Sequence, residues 1–295
     1  MAVAHPFVSD QDVAAYAAAD ADQSDDAYEA ACRDLIAALA RALRALSDPK
    51  CARLLGPVVP GATMTQGARI PGTSYELDPV AAAFSIGTMI GWAGTSDAAD
   101  NLGAILAVGD YLARMAHNEG ERPPTVRDLL RSMIQAQAVQ AWAGEDAPAS
   151  AVRVACAAAA ARLLGGRPAQ IAAAVAMARA DETPRAAPAS AARFGVLGRG
   201  AGLGDANSRG VRLALLVLAA ADTPPAVAAR ARDVAVRTQR APAGGRQRAL
   251  EELAASAGAH FGPRQAALIC GRLANEDRLL ATPINEFAAW LVKNG

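Results

Sequence analysis

The segment Ala27–Leu46, AYEAACRDLIAALARALRAL, decides the fold class. Its apolar residues recur at steps of three and four, which puts them on one side of a helix. Ser24 stands just before it, and Asp25 and Asp26 follow. A hydroxyl there can accept a first-turn N–H, and the two carboxylates face the positive helix end. The pattern predicts an amphipathic helix. Helical periodicity returns in "DPVAAAFSIGTMIGWA" from Asp78, "LGAILAVGDYLARMA" from Leu102, "VRDLLRSMIQAQAVQAWA" from Val126, "AVRVACAAAAARLLGG" from Ala151 and "RPAQIAAAVAMARA" from Arg167. Over 295 residues, 53% are hydrophobic, only 4% are aromatic, and alanine leads the apolar set, a composition for closely packed helices rather than a β-sandwich. The chain reads as an all-α protein long enough to bury a sizeable core.

The breaks between these segments carry their own signals. Thr125 with Asp128 three residues on forms a capping pair, and Pro79 and Pro283 suit a first helical turn. Thr282 is then the expected N-cap of the last helix, "PINEFAAWLVKN". The stretch "LLGPVVPGATMTQGARIPGTSYELDP" from Leu54 holds three prolines before Asp78 and predicts irregular chain or short extended pieces. "GTSDAADN", Gly94–Asn101, reads as a connector in which Asp97 and Asp100 cap the following helix. The longest break is "DETPRAAPASAARFGVLGRGAGLGDANSRG", Asp181–Gly210, whose six glycines predict a loop rather than a helix. It leads into "VRLALLVLAAA", expected as a buried core helix.

Charge excludes some functions. Lysine plus arginine and aspartate plus glutamate both number 29, so no net field draws the chain to nucleic acid or an anionic membrane. No apolar run is long enough to span a bilayer. The N-terminal residues have neither a basic region nor a long apolar one, so a cytoplasmic location is expected. Cys32, Cys51, Cys156 and Cys270 are scattered without metal spacing, which predicts reduced, mostly buried thiols and no metal. His5, His117 and His260 lie apart, the latter two at predicted helix ends, and no cofactor motif is present.

The glycine-rich "GRGAGLGDANSRG" is the best local candidate for chemistry. As a loop it would expose backbone N–H groups to an anion. Asp205, Asn207 or Ser208 would cap the next helix, and Arg199 and Arg209 would pair with a carboxylate or phosphate.

Taken in order, "LLGPVVPGATMTQGARIPGTSYELDPVAAAFSIGTMI", "DNLGAILAVGDYLAR", "TVRDLLRSMIQAQAVQ", "GDANSRGVRLALL" and "FGPRQAALICGRLANEDRLLATPINEF" resemble the MmgE/PrpD family, on its propionate-degrading branch, from about residue 25 to the end. The resemblance implies a large all-α domain made from both ends of the chain, an inserted α+β lid, a homodimer, and cofactor- and metal-independent removal of water from a hydroxy tricarboxylate. It also implies four parts: a tail with a short helix over 1–24, helical domain over 25–218, a Pro/Arg-rich junction over 219–245 in place of the lid, and closing helices over 246–295.

The departures fall on the family's chemistry. Asp97 stands where a histidine of a longer family loop belongs, beside Asp100 and Asn101. Gln137 replaces a second histidine. The family's Arg-His-Ala-Pro-Asn motif reads Arg185-Ala186-Ala187-Pro188-Ala189, and a family lysine aligns with Arg199, which keeps charge but cannot serve as a neutral base. The implied set is Asp97 and Arg199 as catalytic residues, with Asp100, Asn101, Gln137, Arg185, Asp205, Ser208 and Arg209 holding a small carboxylate. With three histidines and the lid gone, the expectation is a dismantled hydro-lyase site in a protein that pairs with itself or with a family enzyme. The alternative is a lyase working from an Arg/Asp-lined cleft on a small hydroxy polycarboxylate.

Overall fold

Helices begin where the sequence supplies an acceptor. In a computed structural model, which describes residues 9–19, 21–92, 99–144, 148–181, 188–220 and 244–293, Ser9 caps α1 (Asp10–Ala18) and Ser24 Oγ accepts from Ala27 N at 3.3 Å to open α2 (Asp25–Ala45). Asp78 accepts from Val80 N and Ala81 N at the head of α4 (Pro79–Gly91). Thr125 and Asp128 form the expected reciprocal cap of α6 (Val126–Ala143). Between α2 and α4 lie a one-turn α3 (Pro49–Ala52) and two short strands, β1 (Ala68–Arg69) and β2 (Glu76–Leu77). These pair antiparallel with Ala68 opposite Leu77. The all-α reading therefore holds, with one small hairpin in the proline-rich stretch.

The core is built around α7 (Pro148–Leu163). Ala155 to Ala161 are seven consecutive buried residues, so this helix is covered on every side. Methyl-sized side chains let its neighbours come close: α6, α5 (Leu102–Glu119), α8 (Pro168–Ala180) and α9 (Pro188–Ala219) all pack on it. The chain's end then returns to its beginning. Helix α10 (Gly245–Phe261) lies on α2, α11 (Pro263–Ala274) on α10, α12 (Glu276–Ala281) on α6, and α13 (Ile284–Trp290) on α5. Val126 N donates to Thr282 O and Ile284 N to Pro124 O, at 2.8 and 2.9 Å, which stitches the closing helices to α6.

A buried ion pair holds the hairpin in this arrangement. Arg69 on β1 donates from Nε to Asp110 Oδ2 at 3.1 Å and from Nη2 to Asp110 Oδ1 at 2.6 Å, while its backbone N takes Oδ2 at 2.8 Å. The same guanidinium reaches Asn285 O at 2.5 Å on α13. Asp110 is 0% exposed, so three donors replace the water it has lost.

Three expectations are corrected. The predicted loop of Asp181–Gly210 is helical from Pro188 onward and runs without a break through "VRLALLVLA" as α9. That last stretch is only partly a core helix: Val211 and Ala214 are buried, but Leu215 and Leu216 are 37% and 50% exposed. Thr282 does not cap α13. It ends α12 and its hydroxyl donates to Arg278 O, because Pro283 itself takes the N-cap position and α13 starts at Ile284. The cysteines are free, with Cys32, Cys51 and Cys156 buried, as expected. Among the described residues no helix is long and apolar enough to cross a membrane, and no cluster of three or more His, Cys, Asp or Glu is placed to hold a metal.

Candidate functional site

The glycines that suggested a loop instead form a packing face. Gly200 and Gly204 are one turn apart on α9 and lie against α4. A Cβ on Gly200 would stand 2.7 Å from the Trp92 ring, and one on Gly204 would stand 2.6 Å from Phe84 O. Farther along, a Cβ on Gly210 would meet Cys156 Cβ at 2.5 Å on α7. Glycine is used here for close backbone approach, and the burial gained outweighs its poor helix propensity of about 1 kcal/mol per residue.

Between these contacts Asn207 is fully buried and every polar valence is engaged. Its Oδ1 accepts from Ala104 N at 2.8 Å and from Cys156 Sγ at 3.5 Å. Its Nδ2 donates to Asp100 O at 2.8 Å and to Leu203 O at 2.9 Å. Asp205, Asn207 and Ser208 therefore do not cap a following helix. They sit inside α9, and Asn207 caps a different helix, α5. Asp100 is buried at the start of that helix but is not its N-cap. Asn101 is, in αR backbone and without a side-chain cap bond. Asn101 Nδ2 instead faces Gln140 Oε1 at 3.4 Å, a long contact, one turn from the half-buried Gln137 on α6. Asn101 Oδ1 is buried and meets no donor among the described residues.

A second grouping carries the charge. Arg209 Nε and Nη2 hold the two oxygens of Asp181 at 2.7 and 2.5 Å. Arg153, 4% exposed on α7, donates to Ala178 O at 3.0 Å, to Ser150 Oγ and to Asp181 O, with its Nε also 3.6 Å from the Asp181 carboxylate. The Arg209 hydrogen bonds pull the Asp181 carboxyl below its usual range. Burial pushes the Asp205 carboxyl up, opposed by Arg209 and then Arg153. Two guanidinium groups thus converge on Asp181 where α7, α8 and α9 meet, with Asp205 within their field, so the expected pairing of Arg209 with an external anion is replaced by Asp181.

Of the remaining expected site residues, Asp97 and Arg185 lie outside the described residues, as does the 221–243 stretch of the junction. Arg199 contributes a backbone position in α9, with its side chain outside the described residues. His117 is exposed at the end of α5, and His260 is half-buried with Nε2 2.7 Å from Gly72 O. Sequence reasoning missed Arg153, Asp181, Cys156 and Gln140. It could have found the packing role of α9, because positions 200, 204, 207 and 210 recur at steps of four, three and three.

The helical core is closed by the C-terminal helices, with α9 packed on α4 and α7. The model of the MmgE/PrpD N-terminal domain matches residues 11–238. The chain belongs to the MmgE/PrpD family. Its curated relatives in that family include the 2-methylcitrate dehydratase of Cupriavidus necator, 39% identical over 211 residues that cover 64% of this chain and 43% of that one. The Salmonella typhimurium 2-methylcitrate dehydratase is 40% identical over the same shares. The mitochondrial 2-methylcitrate dehydratase of Yarrowia lipolytica is 36% identical over 197 residues, 59% of this chain and 37% of its own length. The matched region thus spans less than half the length of these relatives. Within the MmgE/PrpD frame, polar groups gather at the start of α5 and at the Asp205–Arg209 turn of α9, and Asn207 joins the two.

Proposed function

We propose that this chain is a 2-methylcitrate dehydratase-like member of its family whose hydro-lyase site is dismantled, so that it does not turn over a hydroxy tricarboxylate at an enzymatic rate. Dehydration of such a substrate needs a base beside a carboxylate, an acid for the leaving hydroxyl, and cations for the remaining carboxylates. The observation that carries the reading is Arg209. The α9 cation expected to meet an external anion is held at two points by Asp181, a carboxylate that Arg153 also approaches, rather than facing an open anion site. Residues at the family's histidine positions add support, since neither Gln137 nor Ala186 can carry a proton at neutral pH. In this reading the helical domain is kept for assembly, as a homodimer or with a family enzyme, in the cytoplasm.

The test is a product assay on 2-methylcitrate, citrate and cis-aconitate, with the Cupriavidus necator relative as positive control and Arg199→Ala as comparison. The expected result is no product above the buffer blank from either form. Turnover by the wild type that Arg199→Ala abolishes would overturn the proposal and favour the small-carboxylate lyase reading.

A further inference from the structure

We infer that Asn207 is a positioning residue: from α9 it fixes the start of α5, and with it Asp100 and Asn101, at the candidate site. The first N–H groups of a helix have no intrahelical acceptor and ordinarily take one from the N-cap side chain. In α5 the N-cap residue, Asn101, lies in αR conformation (φ −91°, ψ −3°) and makes no such bond. The missing acceptor comes from another helix. Asn207 Oδ1 takes Ala104 N at 2.8 Å, while Nδ2 of the same amide holds Asp100 O, on the other side of the N-cap, at 2.8 Å. One side chain therefore grips the helix and the residue that leads into it.

The chemistry of the partners fixes which end of the amide is which. A backbone N–H must face oxygen, and two carbonyls, Asp100 O and Leu203 O, must face the NH2 group. Space is equally restricted. A Cβ on Gly103 would lie 2.9 Å from Oδ1, and one on Gly87 would lie 3.1 Å from Nδ2, so glycines on α5 and α4 make the room that the amide occupies. A longer glutamine has no space, and an apolar residue leaves a buried N–H and a buried carbonyl unsatisfied. The inference builds on the site's location at the α5 start, as in the proposal above, but not on whether the site turns over substrate.

The test uses Asn207→Ala and Asn207→Asp with amide hydrogen exchange on the ligand-free full chain, each rate taken as a ratio to wild type at the same pH. Asn207→Ala is expected to speed exchange across 102–105 by at least about tenfold more than across α2, the scale of one buried hydrogen bond lost. Asn207→Asp is near-isosteric, but at pH 8 its ionised form sets oxygen against the Asp100 and Leu203 carbonyls. When protonated it can again donate to Asp100 O. The ionisable groups around it are Arg153 and Cys156 from α7, Asp205 and Arg209 from α9, and Asp100 at the α5 start; α4 contributes none. The local excess at 102–105 should therefore be large at pH 8 and shrink at pH 5. Uniform acceleration of α2 and α5 together, or an Asn207→Asp effect indifferent to pH, would overturn the inference. If Asn207→Ala does not fold, Asn207→Asp decides it: folding at pH 5 but not at pH 8 supports the role, and failure at both refutes it. No substrate is present, so the outcome is independent of the product assay.

Discussion

Substituting alanine at Gly204 and at Gly202, two positions apart on α9, separates helix propensity from packing within one helix. Replacing a helical glycine by alanine stabilises by about 1 kcal/mol when nothing else changes. At Gly202 nothing stands within 4 Å of an added Cβ, so Gly202→Ala is expected to realise that gain. At Gly204 the same methyl lies 2.6 Å from Phe84 O and falls upon Thr88 Oγ1, both on α4. Phe84 O is backbone and Thr88 is fully buried, so neither can swing away and the two helices must move apart. Overpacking of this kind costs about 1–3 kcal/mol, and separation also weakens dispersion contacts along the whole α4–α9 seam. With both obstructing atoms fixed, the upper end of about 3 kcal/mol applies, and against a gain of about 1 kcal/mol the net for Gly204→Ala is a loss of about 2 kcal/mol. For a chain of this size 1 kcal/mol shifts Tm by about 2 °C, which gives a rise of about 2 °C for Gly202→Ala and a fall of about 4 °C for Gly204→Ala. Thermal unfolding followed by circular dichroism, with urea midpoints as a second measure, reads both shifts. A Gly204→Ala protein as stable as wild type would refute the packing account of α9, as would an equal fall at Gly202.

Two further perturbations probe the buried charges. Arg69→Leu leaves the fully buried Asp110 carboxylate without its guanidinium partner, where burial already favours the neutral acid; a loss of about 3–5 kcal/mol in urea unfolding is expected. The double variant Arg69→Leu/Asp110→Leu should recover most of that loss, and a double variant worse than the single would show that the pair itself, rather than the stranded charge, supplies the stability. Asp181 has its carboxyl depressed, chiefly by Arg209, so its contribution is complete above the unfolded carboxylate value near about 3.9 and is lost as pH falls through the lower folded value. Asp181→Asn should therefore be less stable than wild type at pH 7 and converge with it in acid. Parallel pH–stability curves for the two would contradict this assignment.

How far the fold was legible depended on where its causes lie. Local signals were enough for α2, α4 and α6. Their caps at Ser24, Asp78 and Thr125 are within three residues of the groups they satisfy, and their apolar periodicity needs no partner to be read. The free, mostly buried thiols likewise followed from their scattered spacing, which matches no metal or disulfide pattern. The candidate site was legible only as a set of positions. Asp100 and Asn101 were seen at the start of α5, and Asp205 to Arg209 as a polar turn, but Asp181 and Arg153 carry no motif because their roles come from charges that folding brings together.

By itself the sequence determined an all-α chain, the starts of most helices and membership of a family, because capping, periodicity and motif order are encoded within short stretches. Only the tertiary structure decided that the glycine run of 198–210 is helix and not loop. Local propensity there opposes the helix by about 1 kcal/mol per glycine, and the opposing term, close contact of α9 with α4 and α7, comes from residues fifty to more than a hundred positions away. The same distance hid Asn207. Its side chain caps a helix that begins 105 positions earlier (207 − 102), and no window of local sequence contains both.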